Sequence, residues 1–281
     1  MTDYDLSIIC ANRVDNYEGD SLGRFIDSVE YNCRSLKTSN INYEYIVVEW
    51  SPIDQHYLYY HERTKHLFDE FNIRDVAIDP SVAKKEELHP NKFLEYFAKN
   101  AGIRRSIGKA ILVTNADIVL TQNMTDEIKS LLDKGLSKTN FYRPHLRTQI
   151  HPEDKKLLWT DELHNPAWAD SIVCGCYSGD FLLTDRNVMI NVAQGYDETN
   201  DGHRHGFQNA MDGEILFQMH RKGVTLKFLE SNYCHLYHSK ERQYESRSYN
   251  QNGYENKKHW GFINYASLHE VPDKLEIVYA N

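Results

Sequence analysis

The chain has 281 residues, 41% of them hydrophobic and 26% charged, with a formal net charge of −9. That length suits one large α/β domain, or one domain with a short appendage, and the acidic balance argues against a sequence-independent grip on nucleic acid, which needs a basic face. A local site for an anionic small molecule stays open, because main-chain donors or a divalent cation can supply the positive charge.

The opening stretch, MTDYDLSIICANR, lacks a basic flank, and its apolar run is too short for a signal peptide or a membrane span; a cytoplasmic chain without a span is expected. The five cysteines (Cys10, Cys33, Cys174, Cys176 and Cys234) include no CxxC pair, so reduced thiols are the simplest account. DLSIICANR (residues 5 to 13) is an apolar run ending in polar residues and reads as a strand. SLGRFIDSVEYNCRSL (21 to 36) sets Leu22, Phe25, Ile26, Val29 and Cys33 at helical spacing. YEYIVVEW (43 to 50) is a second strand, closing on Glu49. Strand, helix, strand is the signature of a βαβ unit and a parallel sheet.

The alternation continues through a helical stretch near 56 to 71, a short strand RDVAIDP (74 to 80), a helix from about 91 to 107, and the strand ILVTNADIVL (111 to 120). Right-handed crossovers then bring the strand ends, with Asn12, Glu49 and Asp117, to one sheet edge, where open α/β sheets place their ligands. A helix follows from about 122 to 135, with Thr121 or Thr125 as N-cap.

FYRPHLRTQI (141 to 150) alternates like an exposed strand, and SGDFLLTDRNVMINVAQGYDE (178 to 198) reads as strand, short helix and turn. MDGEILFQMHRKG (211 to 223) is an amphipathic helix closed by Gly223; VTLKFLES and YCHLYHS are strands. The expected organisation is one domain over 1–240 and a tyrosine- and asparagine-rich C-terminal arm or active-site flap over 241–281.

In this order the pieces resemble GT-A-fold glycosyltransferases, closest in pattern to the family 2 enzymes that move a sugar from a nucleotide diphosphate to an acceptor. LSIICANR looks like their opening strand, YIVVEWS like the second strand, NADIVL like the DxD element, and GYDE (195 to 198) followed by MDGEILFQMHRKG like the family's ending. The likeness covers residues 5 to about 240. It implies a GT-A (Rossmann-like) α/β fold, a mixed, mostly parallel sheet flanked by helices. It also implies a hexosyl- or pentosyltransferase of inverting type, with a UDP-sugar as the favoured donor and a glycan or other hydroxyl as acceptor.

The resemblance assigns roles residue by residue. Asp117 becomes the main metal ligand, for Mn²⁺ or Mg²⁺, which suit hard oxygen donors; Asn115 stands where the family's first acid stands, and an amide there can accept a bond from ribose. His235 or His238 completes the metal shell. Being three apart, they point to opposite faces of an extended strand, which leaves one facing the site, and sequence order favours His235. Asn12, Arg13 and Glu49 fall on the nucleoside-binding positions. Asn100 and Arg104 lie in KNAGIRRSIGKA, which resembles the family's segment facing the nucleotide. Asp212 falls on the general base, with Glu214 as the next acid and Met211 where the family has Glu. Trp159, Trp168 and Asp180 are candidate acceptor contacts, and Trp260 belongs to a candidate lid.

Each of these residues also has a plain structural reading: a turn at Asn115 and Asp117, packed histidines, a helix N-cap at Asp212, a solvated helix face for the basic residues. Other classes stay in view. A nucleotidyltransferase shares such a sheet but advertises a Gly-rich basic loop after the first strand, and an oxidoreductase of Rossmann type wants GxGxxG there; ANRVDNYEGDS has neither. A catalytically silent GT-A-like domain that binds carbohydrate or protein is kept alive by Asn115 and Met211.

Overall fold

The structure is a computed structural model and describes residues 4–13, 19–50, 57–88, 93–162, 180–199, 211–238, 254–271 and 274–280. Among the described residues, nine strands form the main sheet. β1 (Leu6–Asn12), β2 (Tyr43–Trp50), β3 (Ile73–Ile78) and β4 (Ala110–Asn115) make its centre, all parallel, in the order β4-β1-β2-β3. β1 and β2 are buried at every position, which is why they read as continuous apolar runs rather than alternating ones.

Helix α1 (Ser21–Thr38) is capped by Asp20, whose side chain accepts from Gly23 N. It packs Phe25, Val29, Cys33 and Leu36 on one face of the sheet. The stretch near 56 to 71 is a 3₁₀ turn, Leu58–Tyr60, then a short α2 (Lys65–Glu70), with α3 (Pro80–Lys85) after β3. Helix α4 (Glu95–Arg105) lies on the opposite face, with Ala98, Ala101 and Ile103 in the core beneath it. α4 presses close to the sheet because Gly102 has no Cβ: one there would stand 2.6 Å from an Ile9 methyl. Helix α5 (Gln122–Lys134) takes Thr121 as its N-cap, not Thr125, which is buried inside its first turn.

FYRPHLRTQI was expected as one exposed strand. It is two, β6 (Asn140–Pro144) and β7 (Leu146–Ile150), broken at His145 and largely buried, because the chain changes sheet there. β5 (Ile118–Leu120), β7, β8 (Leu157–Glu162) and β11 (Tyr233–Leu236) form a second sheet in the order β5-β11-β7-β8. β6, β9 (Phe181–Asp185) and β10 (Thr225–Leu229) extend the main sheet beyond β4, with β9 antiparallel to both neighbours. A π-helical turn, Val188–Ala193, and helix α6 (Met211–Arg221), which ends before Gly223 at φ +79°, pack near this end.

Of the arm expected from residue 241 onward, β12 (Ala266–Val271) and β13 (Leu275–Tyr279) join the main sheet, β13 lying parallel to β3. No helix among the described residues is long and apolar enough to cross a membrane.

Candidate metal centre at the sheet junction

β4 ends at Asn115 and β5 begins at Ile118, so Ala116 and Asp117 form the turn by which the chain leaves the main sheet for the second. Two buried polar residues of α1 hold that turn. Ser28 Oγ donates to the Ala116 carbonyl, while Asn32 Nδ2 donates to the Ile118 carbonyl at 2.8 Å and its Oδ1 accepts from Leu120 N at 2.7 Å. From the other side Leu236 N donates to the Asp117 carbonyl at 2.9 Å. The backbone of Asp117 is thus pinned between a helix and β11.

Its side chain meets two histidines. Asp117 Oδ2 lies 2.9 Å from His238 Nε2 and 3.4 Å from His235 Nε2. One ligand atom from each of the three residues lies within 4.8 Å of the others. Burial alone would raise the Asp117 carboxyl, but the two imidazoles outweigh it and hold the group well below the usual carboxylate range. His235 is oriented from behind, with Nδ1 2.7 Å from Gln149 Oε1; an amide oxygen accepting there leaves the Nε2 lone pair for a cation.

The expectation that one of the two histidines faces the site is corrected: both do. Strand alternation governs His235, but β11 stops at Leu236, and His238 reaches Asp117 from the irregular segment beyond. The donor set also bears on the ion. Two imidazole nitrogens and one carboxylate oxygen suit a divalent transition ion better than Mg²⁺, which prefers oxygen ligands alone.

Asn115 has both side-chain ends engaged. Its Oδ1 accepts from the ammonium of Lys99, a fully buried residue also bonded to Glu95, and its Nδ2 donates to Asp180 Oδ1 at 2.9 Å. Asp180 Oδ2 in turn accepts from Arg147 Nη1 at 2.9 Å and from the Tyr233 hydroxyl at 3.2 Å. A buried chain of alternating charge therefore runs from Glu95 through Lys99, Asn115 and Asp180 to Arg147. Sequence reasoning missed it and Gln149; the signal available was the polar alternation of Arg147 and Gln149 along β7.

The other candidates fall into two groups. Asn12, Glu49 and Asn115 stand at one sheet edge, in register as Asn12↔Glu49 and Ala11↔Asn115, with Arg13 following. Asn12 Nδ2 is buried and has no partner among the described residues. Glu49 is fully buried, its Oε2 accepting from Leu58 N at 2.8 Å. Burial, and then the neighbouring Asp75, raise its carboxyl well above the ordinary range.

Asn100 and Arg104 are not brought to this edge. Asn100 holds the GYDE turn: it donates to the Tyr196 carbonyl and Glu198 and accepts from Tyr196 N. Gly195, at φ +68°, fits there because a Cβ would lie 2.4 Å from Asn100 Oδ1. Arg104, five residues beyond Lys99 and so roughly 7 Å further down α4, stacks over Trp260 at 4.8 Å. Trp260 itself is buried, which is packing rather than the face of a lid. Glu214 is buried in α6, and Asp212 belongs to the first turn of that helix, its side chain outside the described part. Trp168 lies outside the described residues, and Asp180 is buried within the charge chain.

No sequence-family model matches the chain, and no curated protein matches it. Solved structures do. The catalytic domain of Drosophila beta1,4-galactosyltransferase 7 in complex with xylobiose matches 98% of this chain and 93% of its own, with a TM-score of 0.50 and 12% identity. A mutant of that enzyme with manganese, UDP-Gal and xylobiose gives a TM-score of 0.49 over 98% and 92%, at 12% identity. TarS 1-349 of S. aureus gives 0.46 over 83% and 60%, at 9% identity. At such identity the first likeness speaks for the fold, and the fold is the GT-A arrangement expected from the sequence.

Proposed function

We propose that this GT-A-fold chain is a glycosyltransferase that moves a hexose or pentose from a nucleotide-diphosphate donor, UDP-sugar favoured, to a hydroxyl of a glycan or other acceptor. The observation that carries the reading is the convergence of one carboxylate and two imidazoles at the C-terminal end of β4, the edge at which open α/β sheets bind ligands. The galactosyltransferase of the same fold binds xylobiose in its crystal, which is in keeping with a glycan acceptor.

In this reading Asp117, His235 and His238 hold a divalent ion, Mn²⁺ being the choice that the resemblance to GT-A enzymes favours. When bound, such an ion neutralises charge that rises on the departing diphosphate. Asn12, whose buried Nδ2 has no partner among the described residues, binds the nucleoside together with Glu49 and Arg13. Asn115 serves the ribose side, and Asn100 and Arg104 act on the nucleotide only through the elements they brace. Asp212 removes the acceptor proton for an in-line, inverting displacement. Glu214 supports it. The transferase unit is residues 1–240 completed by β12 and β13, which belong to the same main sheet, and it acts in the cytoplasm.

A second reading, a silent GT-A-like domain that binds carbohydrate or protein, is favoured by one observation. Asn115 is engaged at both ends by Lys99 and Asp180, which leaves the metal one acid fewer than the resembled motif offers. One experiment separates the two: incubation with UDP-, GDP-, CMP- and dTDP-sugars and Mn²⁺, following release of the nucleotide. Wild type releases it from one donor class, Asp117→Ala does not, and Asp212→Asn binds donor without transfer. Intact donors in every case would favour the silent domain.

A further inference from the structure

The second sheet carries an exposed apolar patch on β8. Leu157, Leu158 and Trp159 are consecutive on β8 and are 65%, 40% and 44% exposed. Three adjacent apolar side chains in solvent are unusual on a strand, whose alternation normally turns every second one inward. The cause is a register shift: Ile150 pairs with Leu157 and Gln149 with Trp159, so Leu158 is the extra residue of a bulge. Bulges of this kind re-aim side chains, and they gather near functional sites.

Trp159 itself stays in the regular register, opposite Gln149. Its ring meets that of Tyr237, itself 37% exposed, edge to face at 5.1 Å and 71°. The two rings make a corner, a floor and a wall, with a hydroxyl on one of them. A pyranose fits such a corner, because its C–H face packs on an aromatic plane while its hydroxyls bond the polar tip.

The corner also has an address. Trp159, Gln149 and His235 are direct cross-strand partners and share one face of the second sheet. Two strand spacings, ~10 Å, separate Trp159 from His235. Tyr237 is the residue before His238. The corner belongs to the second sheet, whereas Asn12 and Glu49 belong to β1 and β2 of the main sheet.

We propose that Trp159 and Tyr237 form a stacking platform for one pyranose ring of a carbohydrate acceptor. The word acceptor rests on the transferase reading of the Asp117 site. The saccharide platform is testable apart from it.

The full chain is titrated with the methyl β-glycosides of xylose, glucose, galactose and N-acetylglucosamine, and with their β-linked disaccharides, by saturation-transfer NMR. Wild type, Trp159→Ala, Trp159→Phe and Tyr237→Ala are compared. In parallel, the wild-type thermal shift with UDP and Mn²⁺ is recorded. At least one sugar saturates the wild type; its dissociation constant rises about tenfold in Trp159→Ala and Tyr237→Ala and recovers in Trp159→Phe, in line with the worth of an aromatic contact.

Absence of saccharide binding, or equal affinity in Trp159→Ala, overturns the platform. So does binding of phosphatidylglycerol vesicles that Trp159→Ala abolishes while no sugar binds, since the patch would then be a membrane contact. If sugars bind as described but UDP and Mn²⁺ give no shift, the platform stands and the acceptor assignment falls with the transferase reading.

Discussion

His238 and Asp117, 121 residues apart in the chain, meet with Nε2 2.9 Å from Oδ2. The contact closes the junction between the two sheets, since Asp117 leaves the main sheet in the turn after β4 and His238 follows the end of β11 in the second. It turns a boundary between layers into a cluster of donors, with His235 as the third member.

The cluster depends on a residue that does not touch Asp117. Gln149 orients His235 through Nδ1, and outer partners of this kind are worth about 10- to 100-fold in metal affinity. Gln149→Leu is expected to weaken Mn²⁺ binding by that factor with its melting temperature little changed, as read by calorimetric titration. Undiminished affinity would mean that the imidazole is held by packing alone.

Restoring an acid at the first position of the motif is expected to harm the protein. Asn115→Asp replaces the amide that donates to Asp180 with a second carboxylate facing it at 2.9 Å, while Lys99 is already shared with Glu95. The loss of the bond and the new repulsion cost about 1–3 kcal/mol, measured as a lower midpoint in urea. A variant as stable as wild type would show that Asp180 does not need the amide.

A pH effect follows from Glu49 and Asp75, whose carboxylates accept from consecutive backbone N–H groups, Leu58 and Tyr59. Burial pushes the Asp75 carboxyl up to about 7 against the opposing Tyr59 N–H. A carboxyl raised on folding contributes stability that is fully present below its unfolded value, near 4, and is lost as pH rises through the folded one. Asp75→Asn should therefore flatten the decline in stability between pH ~4 and ~7, a span worth on the order of 4 kcal/mol. A wild-type minus variant difference that stays constant across that range would contradict the assignment.

Much of the central sheet was legible because β1, β2 and β4 are buried on both faces and their residues have little choice but to be aliphatic. Asp117 was legible for the same reason, as an acid closing such a run. The second sheet was not. Its strands are three to six residues long, and β6 and β7 share one uninterrupted alternation, so the change of sheet at His145 left no mark in the periodicity. His238 was misjudged because alternation was extended past the end of β11. The joint engagement of Asn115 by Lys99 and Asp180 joins residues 16 and 65 positions away, a pairing that only the folded chain defines.

The most direct test of the account is a titration of Mn²⁺ in the presence of UDP, following the free-ion signal by electron paramagnetic resonance, on wild type and Asp117→Asn. The account predicts saturable binding of one Mn²⁺ per wild-type chain, strengthened by UDP and lost in the variant. Equal binding to both proteins, or none to either, would contradict the assignment of Asp117, His235 and His238 as the metal centre of a nucleotide-sugar transferase.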